Sequence, residues 1–275
     1  MYSRQELAEG FRRLGVRPGQ CVMLHASVRA VGVVVGGPDQ IHLALKEALG
    51  AGGTLVMYAG CPAHTDEIGR GNLTAEEERE LLEKLPAFDP LAARAQRENG
   101  TLVEFLRTSS GSLVNAHVAR FVAWGHRAPQ LLTPQPWNYA FGAGSILDRF
   151  VDADGQILLL GCDHDNVTFL HYVEHVADIP AKRIARFKVP VNVNGTRVWR
   201  DMEEFDTSGA GVHPNWPDRF FARLVDTHLR ETHNLGGRVG DAHAFLLGSR
   251  ELRDFALPVM QAVAIDPRAV STLTT

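Results

Sequence analysis

Gln156-Ile-Leu-Leu-Leu-Gly161-Cys-Asp-His-Asp-Asn166-Val-Thr-Phe-Leu-His171-Tyr-Val-Glu-His175 reads as a strand, a polar turn and a helix within one short span. Ile157 to Leu160 is an unbroken apolar run closed by glycine, the pattern of a buried strand. The helix is expected from about Val167 to Val176. A buried strand that passes into a helix through a tight polar loop is the building unit of an α/β layered fold. Ligands of open α/β sheets bind beyond the carboxyl ends of the strands, so this loop is where chemistry is expected.

The same alternation continues on both sides. Ser3 and Glu6 have the spacing of a capping box, and Leu7, Phe11 and Leu14 then share one helical face. Cys21 to Leu24 is a short apolar strand that ends at His25-Ala-Ser27. Gly36-Gly-Pro-Asp39 opens a second helix, with Asp39 as its cap, and Thr54 to Tyr58 is another buried strand. Between residues 62 and 98 nine acids outnumber five Lys or Arg, which predicts a helical, acidic surface insertion over about 61–111. Val118 to Trp124 resumes the sheet, and Ser145 caps a short helix. Arg183 to Val193 and Thr196 to Met202 flank Asn194-Gly195, a strong hairpin signal. Two further helices are expected at Trp216–Leu229 and Ser249–Met260. The predicted fold is α/β: a layered sandwich with a central, largely parallel mixed sheet flanked by helices, residues 1–275 forming a single domain.

Composition excludes several functional classes. Hydrophobic residues make up 45% and charged residues 22% of the 275, which rules out a disordered chain. The formal net charge of -4 gives no basic face for a nucleic-acid backbone. No apolar run approaches the length of a membrane span, and the N-terminus has no basic-then-apolar signal. Cys21, Cys61 and Cys162 are odd in number and widely spaced, which suits a reducing, cytoplasmic location better than a disulfide framework.

His171 with Glu174 and His175, three and four residues on, point to one side of the helix. A histidine beside a carboxylate is suited to take a proton near neutral pH. The same residues match H-x-x-E-H, in which both histidines bind zinc, but that motif needs a third ligand on a nearby helix, and Glu203, Glu204 and Asp206 follow a hairpin instead. A Cys162/His164 nucleophilic pair lacks an orienting acid. Phe141-Gly-Ala-Gly-Ser145 is too short to specify a phosphate loop.

In its order of segments the chain resembles the aminoglycoside 3-N-acetyltransferases of the antibiotic-acetyltransferase family. The likeness is carried by His25-Ala-Ser27-Val-Arg-Ala-Val-Gly32, by Gly52 to Met57, by Phe88-Asp89-Pro90 and by Gly100-Thr-Leu-Val-Glu104-Phe-Leu-Arg107. It continues through His117, Gly144-Ser145, Leu158 to Gly161, Thr168 with Leu170, His171 and Glu174, and Val239-Gly240-Asp241-Ala242. The chain departs from the family where Val118 and Ile146 replace proline and where Phe245 replaces arginine.

The resemblance implies transfer of an acetyl group from acetyl-CoA, without a metal, to the 3-amine of the 2-deoxystreptamine ring of an aminoglycoside, giving antibiotic resistance. His171 is then the general base, with Glu204 or Glu174 fixing its tautomer. Backbone N–H groups beginning at Ser27 are the oxyanion donors, with Thr168 as a side-chain candidate. Ser27, Val28, Arg29, Ala30, Val31, Ser112, His117 and Ser145 are expected to contact coenzyme A. Asp66, Glu67, Asp89, Glu203 and Asp206 are expected to face the polycationic antibiotic, in keeping with two acidic stretches at 66–67 and 201–206. The other readings are a zinc-dependent hydrolase and a non-catalytic binder of cationic small molecules. A monomer or homodimer is expected, with no nucleic-acid or membrane partner.

Overall fold

A computed structural model describes residues 1–207 and 211–273. Its strands are β1 (Cys21–Ala26), β2 (Thr54–Tyr58), β3 (Ser112–Val114), β4 (Phe121–Gly125), β5 (Gln156–Leu160), β6 (Ile184–Val193), β7 (Thr196–Phe205), β8 (Gly237–Val239) and β9 (Ala242–Gly248). Seven of them form one sheet in the order β3-β4-β2-β1-β5-β9-β8, and β6 and β7 form a separate hairpin. β1 pairs in parallel with β2 and β5, while every pair involving β4 or β9 is antiparallel. The sheet is therefore mixed, with only β4 and β9 reversed against the common direction.

The helices are α1 (Arg4–Leu14), α2 (Val28–Val31), α3 (Asp39–Leu49), α4 (Ala75–Lys84), α5 (Leu102–Thr108), α6 (Ala128–Leu131), α7 (Ile146–Asp152), α8 (Leu170–Val176), α9 (Phe220–Glu231) and α10 (Ser249–Ile265). Successive strand residues point to opposite faces, and both faces are covered. Val22, Leu24, Leu158 and Leu160 pack with α1, α3 and α5 in one core. Cys21, Met23, Ile157 and Leu159 pack with α6 to α10 in the other. That double burial is why β5 reads as a continuous apolar run.

Several local expectations shift. Asp39 is the first residue of α3 and not its cap, because Pro38 occupies the cap position without a side-chain hydrogen bond. β4 begins at Phe121, since Asn115 closes the preceding turn by accepting from the Phe121 N–H at 2.7 Å and donating to Ala119 O at 3.2 Å. The acidic segment over 61–111 is less helical than its composition suggests. α4, with a Thr74–Glu77 capping box, has no buried residue, whereas α5 belongs to the core through Leu102, Val103 and Leu106. The hairpin turn holds Asn194 at φ 51 and Gly195 at φ 83, the left-handed pair of a type I′ turn. Pairing extends to Ile184↔Phe205, three residues beyond the expected end.

Side chains fix the irregular chain before α5. The fully buried Arg120 guanidinium donates to the carbonyl oxygens of Gly60 (3.0 Å), Pro90 (2.7 Å), Ala93 (2.7 Å) and Arg94 (2.6 Å). Glu104 accepts from Arg107 at 2.6 and 2.8 Å, from Arg94 at 3.0 Å and from the Ala95 N–H at 3.0 Å. These bonds, led by those from Arg107, push its carboxyl from 4.5 down to about 2.

Arg120→Met should cost at least about 2 kcal/mol in urea unfolding, because a buried carbonyl left without a donor costs roughly 1–3 kcal/mol. A loss within about 0.5 kcal/mol, the range of ordinary surface changes, would show that the guanidinium fixes nothing. Glu104 contributes stability that is present above its unfolded value and lost as pH falls through about 2. Glu104→Gln should therefore be less stable than the wild type at pH 7, with the gap closing from about pH 4.5 downward. A gap that stays constant across that window would contradict the assignment.

Candidate active site

The carboxyl ends of β1 and β5 lie side by side in parallel register, Ala26 beside Leu160. Gly161 then turns the chain at φ 61, where a Cβ would meet Ala30 Cβ at 2.4 Å, so only glycine fits. The strand ends open into a cleft of about 790 Å³. Its floor is the chain from His25 to Arg29, and one wall is the β5–α8 connection with Asp163, Asp165, Thr168 and His171. Glu98 to Thr101 and the hairpin end at Glu204 close the opposite sides.

His171 sits in the first turn of α8, its ring between Phe141 and Phe221 at centroid distances of 5.5 and 5.0 Å. Its Nδ1 donates to Glu174 Oε2 at 2.6 Å. The Glu174 side chain is 2% exposed and that of His171 28%, so a buried carboxylate holds a ring that still reaches the cleft. With the proton on Nδ1, the lone pair of Nε2 is left to act as a base. Glu174 is thus the carboxylate that orients His171.

Glu204 is engaged elsewhere. Its Oε1 meets His175 Nε2 at 2.5 Å, and it accepts from the N–H groups of Ala140 at 2.6 Å and Phe205 at 2.9 Å. His175 Nδ1 donates to His171 O at 2.6 Å. Both nitrogens of His175 are consumed within the protein, which removes it as a metal ligand and leaves the H-x-x-E-H pattern without a zinc site. Among the described residues no cluster of three or more His, Cys, Asp or Glu could hold a metal. The Cys162/His164 pair also separates. Cys162 Sγ donates to His25 O at 3.4 Å, burial pushes its thiol up to about 11, and His164 pairs with Asp226 at 2.6 Å.

Ser27, Val28 and Arg29 line the cleft, but Val31 is fully buried in the core and Ala30 packs against Gly161. The Ser27 N–H is not free, since it donates to Leu160 O at 2.9 Å. The N–H groups of Val28 and Arg29 open the first turn of α2, where no helical carbonyl precedes them. Three expected cofactor contacts lie elsewhere. Ser112 shares a hydrogen bond with Ser109 at 3.0 Å. His117 is buried, bonded to Trp137 O and the Ala119 N–H, and pushed down to about 4 by burial. Ser145 is fully buried as the cap of α7, accepting from the Asp148 N–H.

The expected substrate carboxylates also divide. Asp66 lines the cleft, paired with Arg70 at 3.1 Å. Glu67 pairs with His64, and Asp89 accepts from the Leu91 and Ala92 N–H groups. Glu203 is held by Tyr139 and by Arg186 at 2.8 Å, and Asp206 faces Arg183 at 3.8 Å. Carboxylates not singled out from the sequence also line the cleft: Glu98, Asp163 and Asp165 join Asp66 and Glu204, with Arg29 and Arg70 on the same lining and Arg219 paired to Asp163 at 2.7 Å. Asp163 and Asp165 lie within the loop that had marked the strand end, a signal that could have found them. Glu98 has no such marker. Among the described residues no helix is long and apolar enough to cross a membrane.

The family model for aminoglycoside 3-N-acetyltransferase matches residues 23–261. Aminoglycoside N(3)-acetyltransferase III of Pseudomonas aeruginosa is 37% identical over 262 residues, covering 95% of this chain and 94% of that protein. The solved structure of AAC-IIIb in its binary complex with CoASH superposes with a TM-score of 0.88 at 36% identity, covering 95% of this chain and 97% of that one. AAC-VIa bound to sisomicin gives a TM-score of 0.86 at 33% identity, with 95% and 98% covered. With the match to the family model running from within β1 through β5 and the His171 helix, the chain belongs to the aminoglycoside 3-N-acetyltransferase family of acyltransferases.

Proposed function

We propose that this acyltransferase, with acetyl-CoA as co-substrate, acetylates the 3-amine of the 2-deoxystreptamine ring by direct transfer in a ternary complex. The observation that carries this reading is the His171–Glu174 pair at the mouth of β5, with one ring nitrogen fixed by a buried carboxylate. An aminoglycoside amine is largely ammonium at neutral pH and must lose a proton before its nitrogen can attack. Once that proton has gone to solvent the free amine attacks, and His171 Nε2 takes a second proton from the nitrogen as it bonds to the thioester carbon. The oxyanion that forms meets the N–H of Val28, the next donor after the occupied Ser27. Collapse of the tetrahedral intermediate expels the coenzyme A sulfur, and the proton held on His171 goes to it.

Two features support direct transfer to a polycation. Cys162 is the thiol on the lining, and its burial keeps it protonated, which disfavours an acetyl-cysteine intermediate. Five carboxylates, against Arg29, Arg70 and the Arg219 that pairs with Asp163, leave the cleft a negative excess that attracts and holds ammonium groups. The named relatives, acetyltransferases that act at N(3), support the regiochemistry.

Release of free thiol from acetyl-CoA that depends on an added aminoglycoside tests the reading, and NMR of the product tests the acetylated position. Binding without thiol release would favour a non-catalytic binder. His171→Asn should lower kcat by about 10²–10⁴-fold, the usual contribution of general acid–base catalysis, with binding of both substrates little changed. Turnover at the wild-type rate would remove His171 from the mechanism. Asp165→Asn can still accept from the Ala222 N–H at 3.1 Å while losing its charge. It should raise KM for the antibiotic about 10- to 100-fold, as expected for a lost charge-assisted hydrogen bond. KM for acetyl-CoA should stay nearly constant, and equal changes in both would make Asp165 structural.

A further inference from the structure

His25 is the last side chain but one on β1, the central strand, and it lines the cleft beside Ser27 and Cys162. Its Nε2 is shut off from solvent and has no hydrogen-bond partner among the described residues. The other ring nitrogen makes no hydrogen bond to any described residue either. A buried polar group without a partner costs roughly 1–3 kcal/mol, so native proteins seldom keep one unless a ligand or a water completes it. Burial and the nearby His171 push His25 down to about 4, so the ring is neutral at working pH. A neutral imidazole always carries one N–H and can present it as a donor without giving up a proton.

The acyl-transfer chemistry needs such a donor. Sites that stabilise a tetrahedral oxyanion usually aim two or more N–H groups at it, and the Ser27 N–H is already spent on Leu160 O. We propose that His25 is a second oxyanion donor: with Nε2 enclosed, its Nδ1–H faces the cleft and hydrogen-bonds the acetyl carbonyl oxygen of acetyl-CoA as it becomes an oxyanion. This rests on the acetyl-transfer reading above. In the step itself the amine lone pair forms the C–N bond, and the C=O π pair moves onto oxygen, where the His25 N–H and the Val28 N–H receive it. When that pair returns, the C–S bond breaks and the sulfur leaves with its electrons, protonated from His171. His25 gains and loses no proton. Its role differs from that of His171, which is oriented by a carboxylate where His25 has none.

The test uses the intact chain with His25→Gln, which keeps an N–H of similar reach, and His25→Leu and His25→Ala, which remove it. kcat, both KM values, coenzyme A binding and thermal melting are measured for each. The expected result is a kcat about 10²–10³-fold lower in the apolar variants, the loss seen when one oxyanion donor is removed. KM and coenzyme A binding should change little, and melting should be unchanged or raised, since an unpartnered polar group has gone. His25→Gln should recover part of the lost kcat. Wild-type turnover in either apolar variant would overturn the proposal. So would a loss confined to KM, or a drop in melting temperature shared by all three variants, which would mark His25 as structural. If the wild type itself releases no thiol with any aminoglycoside, the acetyl-transfer reading fails; if it does and the variants match it, only the role of His25 fails.

Discussion

A guanidinium bonded, among the described residues, to carbonyl oxygens and to no carboxylate holds the irregular part of this chain to its sheet. Arg120 satisfies carbonyls from two separated stretches, at the end of β2 and over residues 90–94. Arginine suits the task because its donors radiate in a rigid plane, whereas a lysine ammonium is a compact point charge on a flexible stem. Burial without a counter-ion is tolerable here since four acceptors replace the lost hydration. The cleft wall at Glu98 to Thr101 follows directly from that pinned stretch, and α5 then returns to the core. A segment that reads as solvated surface is thereby made a fixed side of a binding site.

Local signals in the sequence carried far. The apolar run of β5, the capping box of α1 and the Asn194-Gly195 turn all depend on neighbours a few residues away, and each matches the structure. The His171–Glu174 contact was legible for the same reason, being one helical turn. What could not be read depends on distant chain. Ser145 and His117 look like polar contacts in sequence, yet tertiary packing buries both. Glu204 was a plausible partner for His171 until the hairpin register delivered it to His175. Glu203 on the adjacent position turns the other way to Tyr139 and Arg186, as alternation along a strand requires.

The His175–Glu204 pair stands beside the His171–Glu174 pair and joins two independent pieces of structure. α8 belongs to the main sandwich, and β7 belongs to the separate hairpin. Glu204 also accepts from the Ala140 N–H, so one carboxylate gathers α8, the hairpin end and the loop that carries Phe141. Phe141 in turn packs on His171. The position of the His171 ring is thus supported from two sides, by Glu174 within its own helix and by the Glu204 assembly.

Because His171 and Glu174 sit one turn apart on a single helix, the pair proposed to react is carried as one short inheritable unit. The carboxylates around it come from chain segments far apart in sequence, at residues 66, 98, 163–165 and 204. Insertions or charge changes in any one of those segments can redraw the outline of the accepted antibiotic without disturbing the distance between base and carboxylate. Selection for a new drug would then act on the rim and leave the centre alone, so resistance ranges can diverge quickly among proteins whose chemistry stays the same.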